Sequence, residues 1–126
     1  MNKKDQNITR CLLIDDNPDD RALAARELKK EFPGLRMEYV TDMANLREQL
    51  QKGRLDLVIT DYQLRWSDGL SVLRLIKTQM PDCPVIMFTG TGSEEIAVEA
   101  MKSGLDDYVL KSPKHYALLS ARALTL

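Results

Sequence analysis

The chain has 126 residues, 44% apolar and 29% charged, values that suit one globular domain with a sizeable core and not a disordered segment. Its 18 Lys and Arg stand against 19 Asp and Glu, a net charge of −1, so the basic excess of a nucleic-acid-binding domain is missing. Apolar runs stop after four or five residues, far short of a membrane span, and Met1 to Arg10 lacks the apolar stretch of a secretory signal; a cytoplasmic location is expected. Cys11 and Cys83 lie far apart among apolar neighbours, the pattern of buried thiols in a reducing compartment and not of a disulfide or zinc site.

Cys11-Leu12-Leu13-Ile14 reads as a buried strand that stops at two acids, Asp15 and Asp16. Asn17 and Pro18 form a helix cap and first helical position, with Asp19 and Asp20 in the first turn. Ala25, Leu28 and Phe32 then recur at helical spacing until Pro33-Gly34. Leu35 to Val40 alternates as a strand. Thr41 is the expected cap of a helix bearing Met43, Leu46 and Leu50, stopped by Gly53. Leu55 to Thr60 is a second buried-type strand and ends at Asp61. A loop through Gly69 leads to a helix with Leu73, Ile76 and Met80. Pro84 to Thr89 is a strand, and Gly90-Thr91-Gly92 follows as a connector. Ser93 caps a helix carrying Ile96, Ala97, Ala100 and Met101, with Gly104 as its stop. Asp107 to Lys111 is the last strand, and Pro113 opens a helix with Tyr116, Leu119 and Ala123. Five strands alternate with five helices, and runs that are apolar on both faces predict a parallel sheet covered on each side. The last helix runs to Leu126 without a cap or polar tail, so the expectation is a single domain over residues 1–126 that forms the front of a longer protein.

In an open parallel sheet the ligand site lies beyond the C-terminal strand ends. Here those ends carry Asp15-Asp16, Asp61, Thr89 and Lys111. Neighbouring carboxylates repel one another, and a hard divalent cation relieves that repulsion through oxygen ligands. The expected ligands of Mg²⁺, or of Mn²⁺ in its place, are Asp16 and Asp61, Asp15 directly or through water, and the backbone carbonyl of Gln63. Asp61 is the candidate nucleophile, giving an acyl phosphate, with Lys111 and the Thr89 hydroxyl meeting the phosphoryl oxygens.

Five stretches at their expected spacing carry a resemblance. They are Leu13-Ile14-Asp15-Asp16-Asn17, Leu57-Val58-Ile59-Thr60-Asp61, Asp68-Gly69, Pro84 to Gly90 and Asp107-Tyr108-Val109-Leu110-Lys111. Across essentially the whole chain the sequence resembles the receiver domain of two-component response regulators. The resemblance implies a doubly wound, flavodoxin-like sheet of order 2-1-3-4-5. It also implies Mg²⁺-dependent transfer of a phosphoryl group to Asp61 from the phosphohistidine of a sensor histidine kinase or a phosphotransfer protein. It further implies a switch, in which Thr89 is drawn to the phosphate and Tyr108 turns inward. The face of the fourth helix, fifth strand and fifth helix then changes for a downstream output domain, an output protein or a second copy. Two positions depart from the family. Arg65 stands where a proline is usual, so a less rigid loop is expected. Ser112 separates Lys111 from Pro113, so a rerouted loop behind the lysine is expected.

Weaker readings stand beside these. Asp15 to Asp20 fails as a calcium loop, because Asp20 takes the glycine position and Arg26 the glutamate position. Gly90-Thr91-Gly92 lacks the Gly-Lys-Ser/Thr of a phosphate-binding loop. His115 is the sole histidine and reads as a surface residue, so the domain is an acceptor and not a kinase. Trp66 reads as a lid or an exposed side chain. The alternatives kept are a receiver-like scaffold that works without phosphorylation, and a phosphohydrolase with an aspartyl nucleophile. The adjacent Asp15-Asp16 pair speaks against the hydrolase, whose two acids are spaced by one residue.

Overall fold

The computed structural model describes residues 9–112 and 115–126. The strands are β1 (Arg10–Ile14), β2 (Arg36–Val40), β3 (Leu57–Thr60), β4 (Val85–Thr89) and β5 (Asp107–Leu110), and the helices are α1 (Pro18–Glu31), α2 (Met43–Gln51), α3 (Gly69–Gln79), α4 (Glu94–Lys102) and α5 (Tyr116–Leu124). The strands form one parallel sheet of order β2-β1-β3-β4-β5, as the family resemblance implies.

Side chains alternate across this sheet and so supply two cores. Leu12, Ile14, Val58, Val85 and Met87 pack on the side of Leu46, Leu50, Val72, Leu73 and Ile76. Leu13, Leu57, Ile59, Ile86 and Phe88 pack on the side of Leu28, Phe32, Leu119 and Ala123. The first side belongs to α2, α3 and α4, the second to α1 and α5. Cys11 and Cys83 are both free and buried, and they belong to opposite cores, so a bridge between them has no geometric basis.

Most helices start where a side-chain oxygen is available. Asn17 Oδ1 accepts from the N–H groups of Asp19 and Asp20 at 2.9 and 3.2 Å, and Ser93 Oγ accepts from Ile96 at 3.2 Å. Two starts differ from the sequence expectation. The cap of α2 is Asp42 and not Thr41, because the Asp42 carboxylate reaches the Asn45 N–H at 2.7 Å. Gly69 is not loop but the first residue of α3, capped by Asp68. A Cβ at position 69 would lie 2.7 Å from the Asp61 carbonyl oxygen and 2.9 Å from Met87 Cε, so the helix docks here only because the side chain is missing. Gly53 and Gly104 stop α2 and α4 with φ of 117° and 98°, a conformation that favours glycine.

β3 begins two residues later than the apolar run suggests, because Asp56 turns its carboxylate back onto Thr9 and Arg10. On α4 only Ala100 is buried, whereas Met101, expected on the core face, is 53% exposed. Pro113 lies outside the described residues, and α5 is described from Tyr116 onward.

Candidate functional site

The register sets the height of the strand ends. Ile14 pairs with Thr60, so the acids that follow them, Asp15 and Asp61, leave the sheet side by side. Thr60 pairs with Met87 and Thr89 with Leu110, so β4 and β5 reach further, and Lys111 extends over the two acids.

The lysine meets more than those two. Its Nζ lies 2.6 Å from Asp15 Oδ2, 2.8 Å from Asp61 Oδ2 and 2.8 Å from Asp20 Oδ2. Burial acts to lower the Lys111 pKa, but hydrogen bonds to Asp15, Asp20 and Asp61 outweigh it and hold the ammonium protonated well above the usual lysine range. Asp15 moves the other way. Burial pushes its carboxyl up, the nearby Asp61 charge adds to this, and hydrogen bonds from Lys111 and the Asn17 N–H compensate only in part. One ammonium is thus divided among three carboxylates.

Asp16 turns aside. Its Oδ2 accepts from the backbone N–H of Arg65 at 2.5 Å. A proline at position 65 has no such donor, so this departure adds a fixed contact to the loop, where a looser loop was expected. Lys111 itself remains in the site despite the inserted Ser112; the rest of the expected rerouted loop, residues 113–114, lies outside the described residues.

Thr89 is buried at the end of β4, but its hydroxyl does not reach Asp61. It accepts from the Thr91 N–H at 3.2 Å and lies 3.2 Å from the Thr91 hydroxyl. The Tyr108 hydroxyl is buried without a hydrogen-bond partner among the described residues. It fills the space over Gly92, where a Cβ would lie 1.6 Å from Tyr108 Oη and 3.1 Å from Thr89 Cγ2. Gln63 is exposed on the loop after Asp61 and bridges to Asp68. Trp66 packs partly against the core. His115 is tied to the end of β5, its Nδ1 lying 2.9 Å from the Leu110 carbonyl oxygen.

Three contributors were not legible as site residues. Asp20 reads as a first-turn helical acid and Tyr116 as part of the apolar face of the last helix, and Arg21 carries no sequence signal. Yet Arg21 Nη1 donates to the Asp15 carbonyl at 2.6 Å, and Tyr116 Oη donates to Asp20 Oδ1 at 3.1 Å. Asp20 lies in the first turn of α1, next to the end of β1, the sequence hint that it sits at the same edge.

The donor set suits a hard cation. Asp15, Asp16, Asp61 and the Gln63 carbonyl offer only oxygen, and the excess of negative charge around Lys111 is a charge that a divalent ion would relieve. Among the described residues no three acidic, histidine or cysteine side chains already converge as a metal centre, because Lys111 stands between the acids and Asp16 faces Arg65. Chemically, a carboxylate held against an ammonium among oxygen donors is suited to meet a phosphoryl group.

Comparison with known proteins decides the family. The response regulator receiver domain profile matches residues 11–122. The chain belongs to the response regulator receiver domain family. The receiver domain is 34% identical over 113 residues to the C4-dicarboxylate transport transcriptional regulatory protein DctD of Pseudomonas aeruginosa, covering 90% of this chain and 24% of that protein. The chain therefore spans about a quarter of the length of the curated relatives it matches. Among solved structures, the receiver domain of NtrX from Brucella abortus superposes with a TM-score of 0.77 at 34% identity, covering 91% of this chain and 98% of that one. A response regulator from Burkholderia pseudomallei with a phosphorylated aspartic acid and a calcium ion superposes with a TM-score of 0.77 at 26% identity, covering 90% and 65%. The receiver domain is accordingly a phosphorelay signalling module.

Proposed function

We propose that Asp61 is the phosphoacceptor of this receiver domain, taking its phosphoryl group from the phosphohistidine of a sensor kinase or phosphotransfer protein in the cytoplasm. The observation that carries this reading is the Lys111 ammonium seated 2.8 Å from Asp61 Oδ2 at the C-terminal sheet edge. A carboxylate oxygen of Asp61 attacks phosphorus. The bond from phosphorus to the donor breaks, and the leaving group departs with that electron pair. Lys111 neutralises charge on the transferring oxygens and orients the carboxylate, whose Oδ1 is held by the Tyr62 N–H at 2.7 Å. Asp15, Asp16, Asp61 and the Gln63 carbonyl would hold Mg²⁺, which when bound lets two anions approach. With Oδ2 on the Arg65 N–H, Asp16 would take part through Oδ1 or by exchanging that contact. Because these residues themselves stabilise the transfer, the domain assists its own phosphorylation and dephosphorylation.

Among the described residues the Thr89 hydroxyl has only Thr91 as its partner and Tyr108 Oη has none, so both are free to respond to a phosphoryl group. The response reaches the face of α4, β5 and α5, where Val98, Met101 and Leu110 are about half exposed and offer apolar area to an output domain, a separate protein or a second copy.

Incubation with Mg²⁺ and acetyl phosphate tests the reading. A mass increase of one phosphate is expected, labile to hydroxylamine, abolished by EDTA and absent in Asp61→Asn. A folded protein that takes no label from small donors or kinases would favour the scaffold reading, and turnover of many phosphate esters would favour a hydrolase.

A further inference from the structure

Lys111 carries three N–H protons, and three carboxylates already use them. A phosphoryl group on Asp61 inherits the proton that Asp61 Oδ2 now holds, and a second contact from Lys111 to its oxygens requires that Asp15 or Asp20 yield. Asp15 is poorly placed to yield. Its side chain is 13% exposed, its Oδ1 is held by the Asn17 N–H, and its carbonyl is gripped by Arg21. Asp20 is 27% exposed and can be rehydrated at less cost. It also needs no ion pair for its own stability, since the N-terminus of α1 already favours a negative charge.

Asp20 is nonetheless aimed at the lysine, and Tyr116 does the aiming. Tyr116 Oη donates to Asp20 Oδ1 while Asp20 Oδ2 faces Lys111 Nζ. The Tyr116 ring is fixed edge-on against Phe88, 5.0 Å between centroids at 87°. The spacing of the two helices is fixed further along, where Ser120 Oγ donates to the Glu27 carbonyl at 2.8 Å. We propose that Asp20 and Tyr116 are positioning residues that hold part of the Lys111 ammonium away from the phosphoryl site, so that this α1–α5 pair sets how tightly the domain holds phosphate on Asp61. The inference rests on the phosphoacceptor reading above and adds a brake to it. Phosphate and Asp20 compete for one proton donor, and the loser reports to α1 and α5 through Tyr116.

The test is an equilibrium titration of beryllofluoride at saturating Mg²⁺, read by Trp66 fluorescence, with acyl-phosphate lifetime measured in parallel. Asp20→Asn is expected to bind beryllofluoride roughly 3- to 10-fold more tightly, the factor for releasing one partly exposed charge pair. Tyr116→Phe leaves every charge in place and should shift binding in the same direction by about 2-fold. Asp19→Asn removes an equal charge from the same turn without touching Lys111, and should bind as wild type. Mg²⁺ affinity without beryllofluoride should not rise in Asp20→Asn, which separates positioning from a general change in the site. Unaltered or weaker binding in both Asp20→Asn and Tyr116→Phe, in a protein that still takes label on Asp61, overturns the brake and leaves the acceptor reading intact. A shift in Asp19→Asn equal to that in Asp20→Asn reduces the effect to net charge and also overturns it. A wild-type protein that binds no beryllofluoride and takes no label overturns both.

Discussion

The two ends of the sheet handle their acids in opposite ways. At the N-terminal end, each carboxylate has donors of its own. Asp56 Oδ2 accepts from the Thr9 N–H, the Thr9 hydroxyl and the Arg10 N–H at 3.0, 2.8 and 3.0 Å, and its Oδ1 pairs with Arg54 at 2.9 Å. Asp106 Oδ2 accepts from Val85 N–H and Lys77 Nζ at 2.8 and 2.9 Å. At the C-terminal end, Asp15, Asp20 and Asp61 divide one lysine. Burial pushes the Asp56 carboxyl up, but its donors and Arg54 more than reverse this and leave it below the usual range. The same pressure wins at Asp15, whose carboxyl is raised. A fully satisfied acid closes an element and stabilises it, whereas an under-satisfied cluster retains capacity for an incoming ion or phosphoryl group.

That contrast breaks most visibly at its shared cation. Lys111→Met leaves three neighbouring carboxylates without a counter-ion and should cost about 2 kcal/mol in urea unfolding without divalent ions, between the values for exposed and buried pairs. Mg²⁺ should restore more stability to this variant than to wild type, and equal stability of the two proteins in EDTA would contradict the charge argument.

Next in size is the satisfied end. Asp56→Asn should lose about 1–2 kcal/mol at pH 7. The folded-state pKa of Asp56 lies below its unfolded value, so its contribution is present above about pH 4 and is lost as acid titrates the folded carboxyl. Stability curves of wild type and Asp56→Asn should therefore converge on acidification, and parallel curves would refute the assignment.

A smaller effect, about 1 kcal/mol, is expected from Gly92→Ala, whose new methyl displaces the end of a flexible side chain. Its diagnostic is local, because Tyr108 must leave the space beside Thr89 and become more accessible to nitration. A tyrosine that stays protected would show that the ring has another way to yield.

The smallest prediction has the opposite sign. The folded-state pKa of Asp15 is raised, so its contribution favours the fold at low pH and is lost as pH rises through that value. Asp15→Asn should thus stabilise the domain at pH 7 by less than about 1 kcal/mol, read as a rise in Tm, because it removes a repelled charge and keeps an acceptor for the Asn17 N–H. A fall in Tm would show that Asp15 is as well satisfied as Asp56.

The amino-acid sequence by itself determined the alternation of strands and helices, since burial on one or both faces is written as a local period. It also located Asp15, Asp61 and Lys111, because a polar residue that ends a buried parallel strand has one edge of the sheet to occupy. Adjacent candidates blurred it: Thr41 and Asp42 both have cap-forming side chains, and only backbone placement chose Asp42. Tertiary structure alone decided that Asp20 reaches Lys111 and Tyr116 reaches Asp20, that Asp16 faces the Arg65 N–H, and that the Thr89 hydroxyl turns to Thr91. Sequence patterns encode which way a side chain faces its own sheet or helix, but the sharing of one ammonium among carboxylates from β1, α1 and β3 depends on ångström-scale docking of elements up to 91 residues apart, and no local pattern carries that distance.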